Sequence, residues 1–255
     1  MKKNLTYLIA IAAIMLLNFG AMAQNGSTPL VGSTHVYTIT PESGSNTLAW
    51  AVLEGADGTE YNIISGAATS AVTIKWNTAG TYTVRFTETN ATTLCATVKT
   101  TSVTVSANTF DVSASAAAAF CNAANGQVNY AGTDATTAIT FKVDMTTGTT
   151  FSPNWEIKFT LTPGTASVAN VKAGATSLTP VAGVYTATGL TSTTGDGTVN
   201  ITMDVTGNIY TVQNVLLTIT SAKELTYNTP DKDSDDWTAT QTINDIPNTS
   251  TITTD

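Results

Sequence analysis

The sequence predicts an all-β protein made of two consecutive antiparallel β-sandwiches. Three observations carry that prediction. Apolar and polar residues alternate over many stretches, as in Tyr82-Thr-Val-Arg-Phe86, which is the period of a strand with one buried and one wet face. Threonine supplies 54 of the 255 residues; its branched β-carbon favours strands and its hydroxyl suits a solvent-facing position without charge. Charged residues make up only 11% of the chain, against a usual value of about 25%, too few for helices laced with surface ion pairs.

The elements follow in order. Residues 1–23 carry Lys2 and Lys3, an apolar run from Tyr7 to Leu17, and Ala21-Met22-Ala23. This is the pattern of a secretory signal peptide, with cleavage expected between Ala23 and Gln24. The run is too short for a membrane span, which needs about 20 apolar residues. Cleavage would leave 8 basic residues against 18 acidic ones, a net charge of −10. An exported chain with no membrane span in its mature part is expected, in the periplasm, at the cell surface or secreted.

A first sandwich is expected over 28–107. Its strands are Val36–Ile39, Leu48-Trp50-Val52, Tyr61–Ile64, Val72-Ile74-Trp76, Gly80–Glu88 and Val98–Val105. Turn residues such as Asp57-Gly58 and Asn77-Thr-Ala-Gly80 separate them. Six strands in about 75 residues make a small sandwich. The alanine-rich Ser113–Ala119 reads as a joint or an irregular first strand. A second sandwich is expected over 109–225. Ile139-Phe141-Val143-Met145, Trp155-Ile157-Phe159-Leu161, Val199-Ile201-Met203-Val205 and Val215-Leu217-Ile219 are its alternating strands, joined by Gln127–Ala131 and Val184–Ala187. From 226 to 255 the periodicity fades into Thr, Asn, Asp and Pro. A polar acidic tail, mobile or holding one partly extended strand, is expected there.

Trp50, Val72-Thr-Ile-Lys-Trp76, Gly80-Thr-Tyr-Thr-Val84 with Thr87-Glu88, Cys95 and Val103-Thr-Val105 together resemble the PKD-like and immunoglobulin-like β-sandwich modules of secreted and cell-surface proteins of the Bacteroidetes, gliding and adhesion proteins among them. The resemblance covers about 75 residues, the size of one small sandwich. It implies an extracellular scaffold or adhesive module rather than a catalyst. It does not extend to the basic sorting domain that ends many such proteins, since the last lysine is Lys232.

Chemistry is sparse. A net charge of −8 and one arginine, Arg85, argue against nucleic acid as a partner. No nucleophile elbow, phosphate loop or zinc-protease helix occurs in the sequence. His35, the sole histidine, reads as a strand-face residue beside Val36 and Tyr37. No enzymatic activity and no cofactor are expected, with one reservation. Asp231, Asp233 and Asp235 alternate as the first ligands of a calcium loop do, and Asp236 adjoins them. The glycine and the twelfth-position glutamate of that loop are absent, so a looser calcium site and a solvated acidic turn both stand. Cys95 and Cys121 would share an oxidising compartment. Either they pair, closing a loop of about 26 residues, or they are two separate thiols. Trp50, Trp76 and Trp155 are in phase with apolar neighbours and read as core; Trp237, beside the aspartates, is an exposed aromatic or a pin holding the tail. The function expected is structural, adhesive or assembly-related. A carbohydrate-binding protein is the alternative, and would require exposed coplanar aromatics. Other surface proteins or glycans are the expected partners.

Overall fold

The computed structural model describes residues 26–128, 130–148, 153–192 and 195–249. The signal-peptide residues, with Ala23 and Gln24, lie outside them. The described residues form sixteen strands and no helix. The chain divides into two compact units: residues up to Ala107 belong to one, and Asn108–Thr146 with the described residues from 153 onward belong to the other.

The first unit is built from β1 (Thr34–Thr38), β2 (Thr47–Val52), β3 (Tyr61–Ser65), β4 (Ala71–Trp76), β5 (Gly80–Thr89) and β6 (Ala96–Val105). They form two antiparallel three-stranded sheets, ordered β1-β4-β3 and β2-β5-β6. The alternation read in the sequence is the cause. Val72, Ile74 and Trp76 point inward from one sheet, Tyr82, Val84 and Val103 from the other, and all are buried in one core. Trp76 is the centre of that core, its ring 4.9 Å from Tyr82 and 6.2 Å from Tyr61. Its indole N–H donates to the Tyr37 hydroxyl at 3.1 Å, so the buried ring leaves no orphaned donor. Burial pushes the Tyr37 hydroxyl up to about 12. The β3–β4 turn depends on Gly66, whose φ is 79° and where a methyl group would lie 1.9 Å from the Ala71 carbonyl oxygen.

The second unit contains β7 (Asp111–Ala116), β8 (Phe120–Cys121), β9 (Asp134–Thr146), β10 (Trp155–Thr162), β11 (Ser167–Ala173), β12 (Thr176–Ser177), β13 (Tyr185–Leu190), β14 (Gly197–Asn208), β15 (Gln213–Glu224) and β16 (Thr238–Asn244). These make two five-stranded sheets, β13-β10-β15-β16-β8 and β12-β11-β14-β9-β7. All pairings are antiparallel except the short β16–β8 pair. Phe141, Val143 and Met145 of β9, Ile201 and Met203 of β14, Trp155, Ile157 and Phe159 of β10, and Val215, Leu217 and Ile219 of β15 fill the space between the sheets. At about 1.5–3 kcal/mol for each large apolar side chain buried, this layer is the dominant favourable term of the unit.

Two sequence expectations are corrected, and one left open is decided. For Ser113–Ala119, read as a joint or an irregular first strand, the structure has the strand: β7 covers most of it and pairs with β9 from Asp111↔Thr146 to Ala116↔Phe141. Small residues suffice because Val112 is the only large side chain the position must bury. Of Gln127–Ala131, none of the described residues is in a strand, and Val128 is 88% exposed. The second sandwich does not end near Leu225 with a polar tail. β16 lies inside its sheet, paired with β15 from Gln213↔Ile243 to Thr218↔Thr238, and it buries Ala239, Gln241 and Ile243.

Truncation after Leu225 tests that last correction. Removing β16 exposes the β15 edge and deletes the burial of Ile243 alone worth about 1.5–3 kcal/mol. The expected outcome is loss of the cooperative thermal transition of the second unit in calorimetry. An unchanged transition would mean that the segment contributes nothing to the fold.

Candidate functional site

The connection between β15 and β16 carries the acidic run and is laid along β7. Its backbone supplies part of a ladder: Lys232 N–H donates to the Phe110 carbonyl at 2.8 Å, and Ala114 N–H donates to the Asp236 carbonyl at 2.9 Å. Between these two bonds Val112 N–H needs an acceptor. The Asp231 carboxylate provides it, Oδ2 accepting from Val112 N–H at 3.1 Å and from the Trp237 indole at 2.7 Å. Asp231 N–H is itself held by the Ala222 carbonyl at 3.0 Å. One side chain therefore completes the open edge of β7 and pins Trp237, which is half-buried against the core.

Three carboxylates converge here: Asp111, Asp231 and Asp233, with oxygens within 4.8 Å of one another. Lys232 Nζ stands among them, 2.8 Å from Asp111 Oδ2 and 3.1 Å from Asp233 Oδ2. Asp235 and Asp236 are exposed and do not join the cluster; Asp236 contributes only its carbonyl. The four-residue calcium set expected from the sequence is thus not the set that converges. Asp111 was invisible to sequence reasoning because it lies 120 positions before Asp231, and only the β7–loop pairing brings the two together. A calcium ion at this place would have to compete with the Lys232 ammonium.

Electrostatics separate the members. Burial pushes Asp231 up to about 6, with its N–H donors acting in the opposite direction and Asp111 adding repulsion. Lys232 is raised, chiefly by its hydrogen bonds to Asp111 and Asp233, and Lys232 in turn lowers Asp233. Asp111 Oδ1 is buried with no hydrogen-bond partner among the described residues.

The remaining residues singled out from the sequence are scattered. His35 is buried in the first unit, its Nε2 3.0 Å from Ser33 Oγ, and burial lowers it to about 4. Cys95 precedes β6 in the first unit and Cys121 lies in β8 of the second; both are exposed. Trp76 and Trp155 are fully buried. Trp50 is half-buried, packs on Phe86 at 4.9 Å, and donates its indole N–H to the Thr69 carbonyl. None of the four tryptophans stands free as a sugar-stacking platform.

No family model matches the chain, and no curated protein matches it. Among solved structures, similarity is found to the D00-D0 domain of intimin at 13% identity, over 87% of this chain and 96% of that one, with a TM-score of 0.26. CfaE, the adhesive subunit of the CFA/I fimbria of enterotoxigenic Escherichia coli, is similar at 9% identity over 88% and 99% of the two chains, with a TM-score of 0.34. Chitinase ChiA74 from Bacillus thuringiensis is similar at 16% identity over 74% of this chain and 26% of that one, with a TM-score of 0.21. Adhesins and a hydrolase stand side by side at TM-scores this low, and no function is taken from any of them.

Two predictions follow from the buried titratable groups. Asp231 is raised in the folded state from an ordinary 3.8 to about 6. The folded protein therefore holds its proton where the unfolded chain has lost it, and the stability this group contributes is present below pH 3.8 and lost as pH rises through 6. His35 is lowered from 6.5 to about 4, so its contribution is present above 6.5 and lost as pH falls through 4. Melting temperatures across this window should show Asp231→Asn removing a fall with rising pH, and His35→Gln removing a rise. Parallel pH profiles for the two variants and the parent would contradict both assignments. Separately, Lys232→Ala should lower the melting temperature in EDTA and make it recover in millimolar calcium, while the parent responds little. An equal response in both proteins would show that the ammonium does not hold the cation's place.

Proposed function

We propose that this is an exported, non-catalytic protein of two immunoglobulin-like or PKD-like sandwiches, of the kind found in secreted and surface proteins of the Bacteroidetes. Its role is structural, adhesive or in assembly at the cell envelope or outside the cell. The observation that carries this reading is the use made of the carboxylates. Glu88 accepts from Glu42 N–H at 2.9 Å and from the Asn46 amide at 2.7 Å, and the Asn46 bond is the main cause of its lowered pKa. Glu54 accepts from the Thr83 hydroxyl at 3.0 Å, Glu224 from Tyr227 N–H at 2.8 Å and from Thr226 N–H, and Asp231 from Val112 N–H. These acids fasten loops to strands. Committed in this way, they rigidify a scaffold instead of facing a substrate across a cleft. The signal-peptide pattern and the uncharged threonine surface support export and a role outside the cytoplasm.

The test is direct. Cells producing the tagged chain should yield a mature protein beginning at Gln24 in an extracytoplasmic fraction. Beads coated with that protein should adhere to cells or to matrix surfaces above an albumin control. Cytoplasmic retention of the full-length chain, or turnover of polysaccharide or peptide substrates by the purified protein, would overturn the reading.

A further inference from the structure

The first sandwich is closed along one stretch of β6 and open along another. β6 is the last strand of its sheet and pairs with β5 over its whole length, from Gly80↔Val105 to Thr89↔Ala96. On its outer edge the C-terminal end is covered by the preceding chain: Thr104 N–H donates to the Ser27 carbonyl, Ser106 N–H to Pro29, and Val31 N–H to Ser106, each at 2.9 Å. Ala96–Ser102 has no such cover. All seven residues are exposed, and among the described residues they have no hydrogen-bond partner beyond β5. A long flat edge of this kind presents alternating unpaired N–H and C=O groups, and most proteins guard such an edge.

Beside this edge lies an open groove of about 300 Å³. Lys99, Thr100 and Thr101 of β6 form one wall, and β1, the edge strand of the other sheet, forms the opposite one with Val36 and Ile39. Trp50, Val84 and Phe86 line it between them. Val36 is 61% exposed, so apolar surface is available on the β1 side.

Charge narrows the occupant. Residues 26–107 contain three basic side chains, Lys75, Arg85 and Lys99, and two of them are on β5 and β6. Lys99 is opposite Phe86 and therefore on the groove face, whereas Arg85 is opposite Thr100 on the other face. Neither makes an ion pair among the described residues. An occupant must pair with a strand edge, set apolar side chains into a groove at every second residue, and place a carboxylate at Lys99. An extended polypeptide meets all three requirements. A glycan offers no ladder of main-chain donors and acceptors, and a nucleic acid meets an acidic chain whose two local cations point apart.

We propose that Ala96–Ser102 is a strand-acceptor edge that takes an extended, acidic segment of a partner polypeptide by β-augmentation. The partner's apolar side chains cover Trp50 and Val36, and its carboxylate meets Lys99. This deepens the adhesive or assembly reading and rests on it.

Isothermal titration of the mature protein with the synthetic peptide acetyl-TVTDTVT-amide, whose Asp is in phase with its valines, tests the site. Saturable binding is expected. Replacing the peptide's Asp by Lys should weaken it, and Lys99→Glu should weaken the Asp peptide and favour the Lys peptide, each by about two- to fivefold, the range for an exposed ion pair. N-methylation of alternate peptide amides on one edge should abolish binding, while methylation on the other edge should not, because only one edge faces β6. Absence of heat at millimolar peptide, or indifference to N-methylation on either edge, would overturn the proposal. Displacement of bound peptide by an oligosaccharide or by single-stranded DNA would also overturn it, assigning the groove to another class of ligand. The charge-swapped peptide needs no variant, so the test stands even if Lys99→Glu fails to fold. Coated-bead adhesion keeps the two levels apart. Adhesion retained without peptide binding overturns the strand-acceptor site alone; adhesion lost in Lys99→Glu together with peptide binding supports both.

Discussion

Every open sheet ends in strands whose outer N–H and C=O groups need partners, and how those edges are satisfied governs most of the rest of this structure. The constraint is sharper here than in an ordinary domain, because a chain with 11% charged residues has few lysines to spend on guarding edges. Covering is the alternative, and the molecule covers several stretches of its edges with backbone. Residues 27–31 lie along the end of β6. The β15–β16 connection lies along β7, with the Asp231 carboxylate standing where a carbonyl would be. β8 pairs with the far side of β16, though over only two residues. An unmade backbone hydrogen bond at a buried position costs about 1–3 kcal/mol, enough to make each of these arrangements count against a total stability of about 5–15 kcal/mol.

Using a side chain as a ladder acceptor carries its own penalty. Asp231 is drawn out of water to reach Val112 and Trp237, and desolvation outweighs the two N–H donors in setting its proton affinity. Lys232 offsets part of the local negative charge by bridging the neighbouring aspartates. The first unit contains the opposite case, a histidine buried in its neutral form beside Ser33. In each unit a desolvated titratable group, His35 or Asp231, is held within the strand framework, and that is the physical ground for the proposed scaffold role.

Sequence reasoning recovered the strands whose inward positions are large and apolar: β4, β5, β9, β10, β14 and β15. It failed where burial is achieved by other means. β16 hides Ala239 and Gln241 along with Ile243, and alternation of a small and an amide side chain does not register as hydrophobic periodicity. β11 was missed because its register shifts between Ala169 and Lys172, where Asn170 takes a φ of 53°, and a bulge breaks the two-residue period. The acidic run was legible but its convergence with Asp111 was not, since loop spacing says nothing about a residue that arrives from another strand. β6 shows the reverse limit. Its sequence reads as an ordinary strand, and nothing in it reveals that seven of its ten residues lie outside the core.

Native-state hydrogen exchange, read amide by amide, tests edge satisfaction most directly. The account predicts strong protection for Val112 and Ala114 on the covered edge of β7 and for Thr104 and Ser106 on the covered end of β6. It predicts fast exchange at alternate amides of Ala96–Ser102, whose outer edge has no partner. Uniform protection from Ala96 through Val105, or fast exchange at Val112, would contradict it.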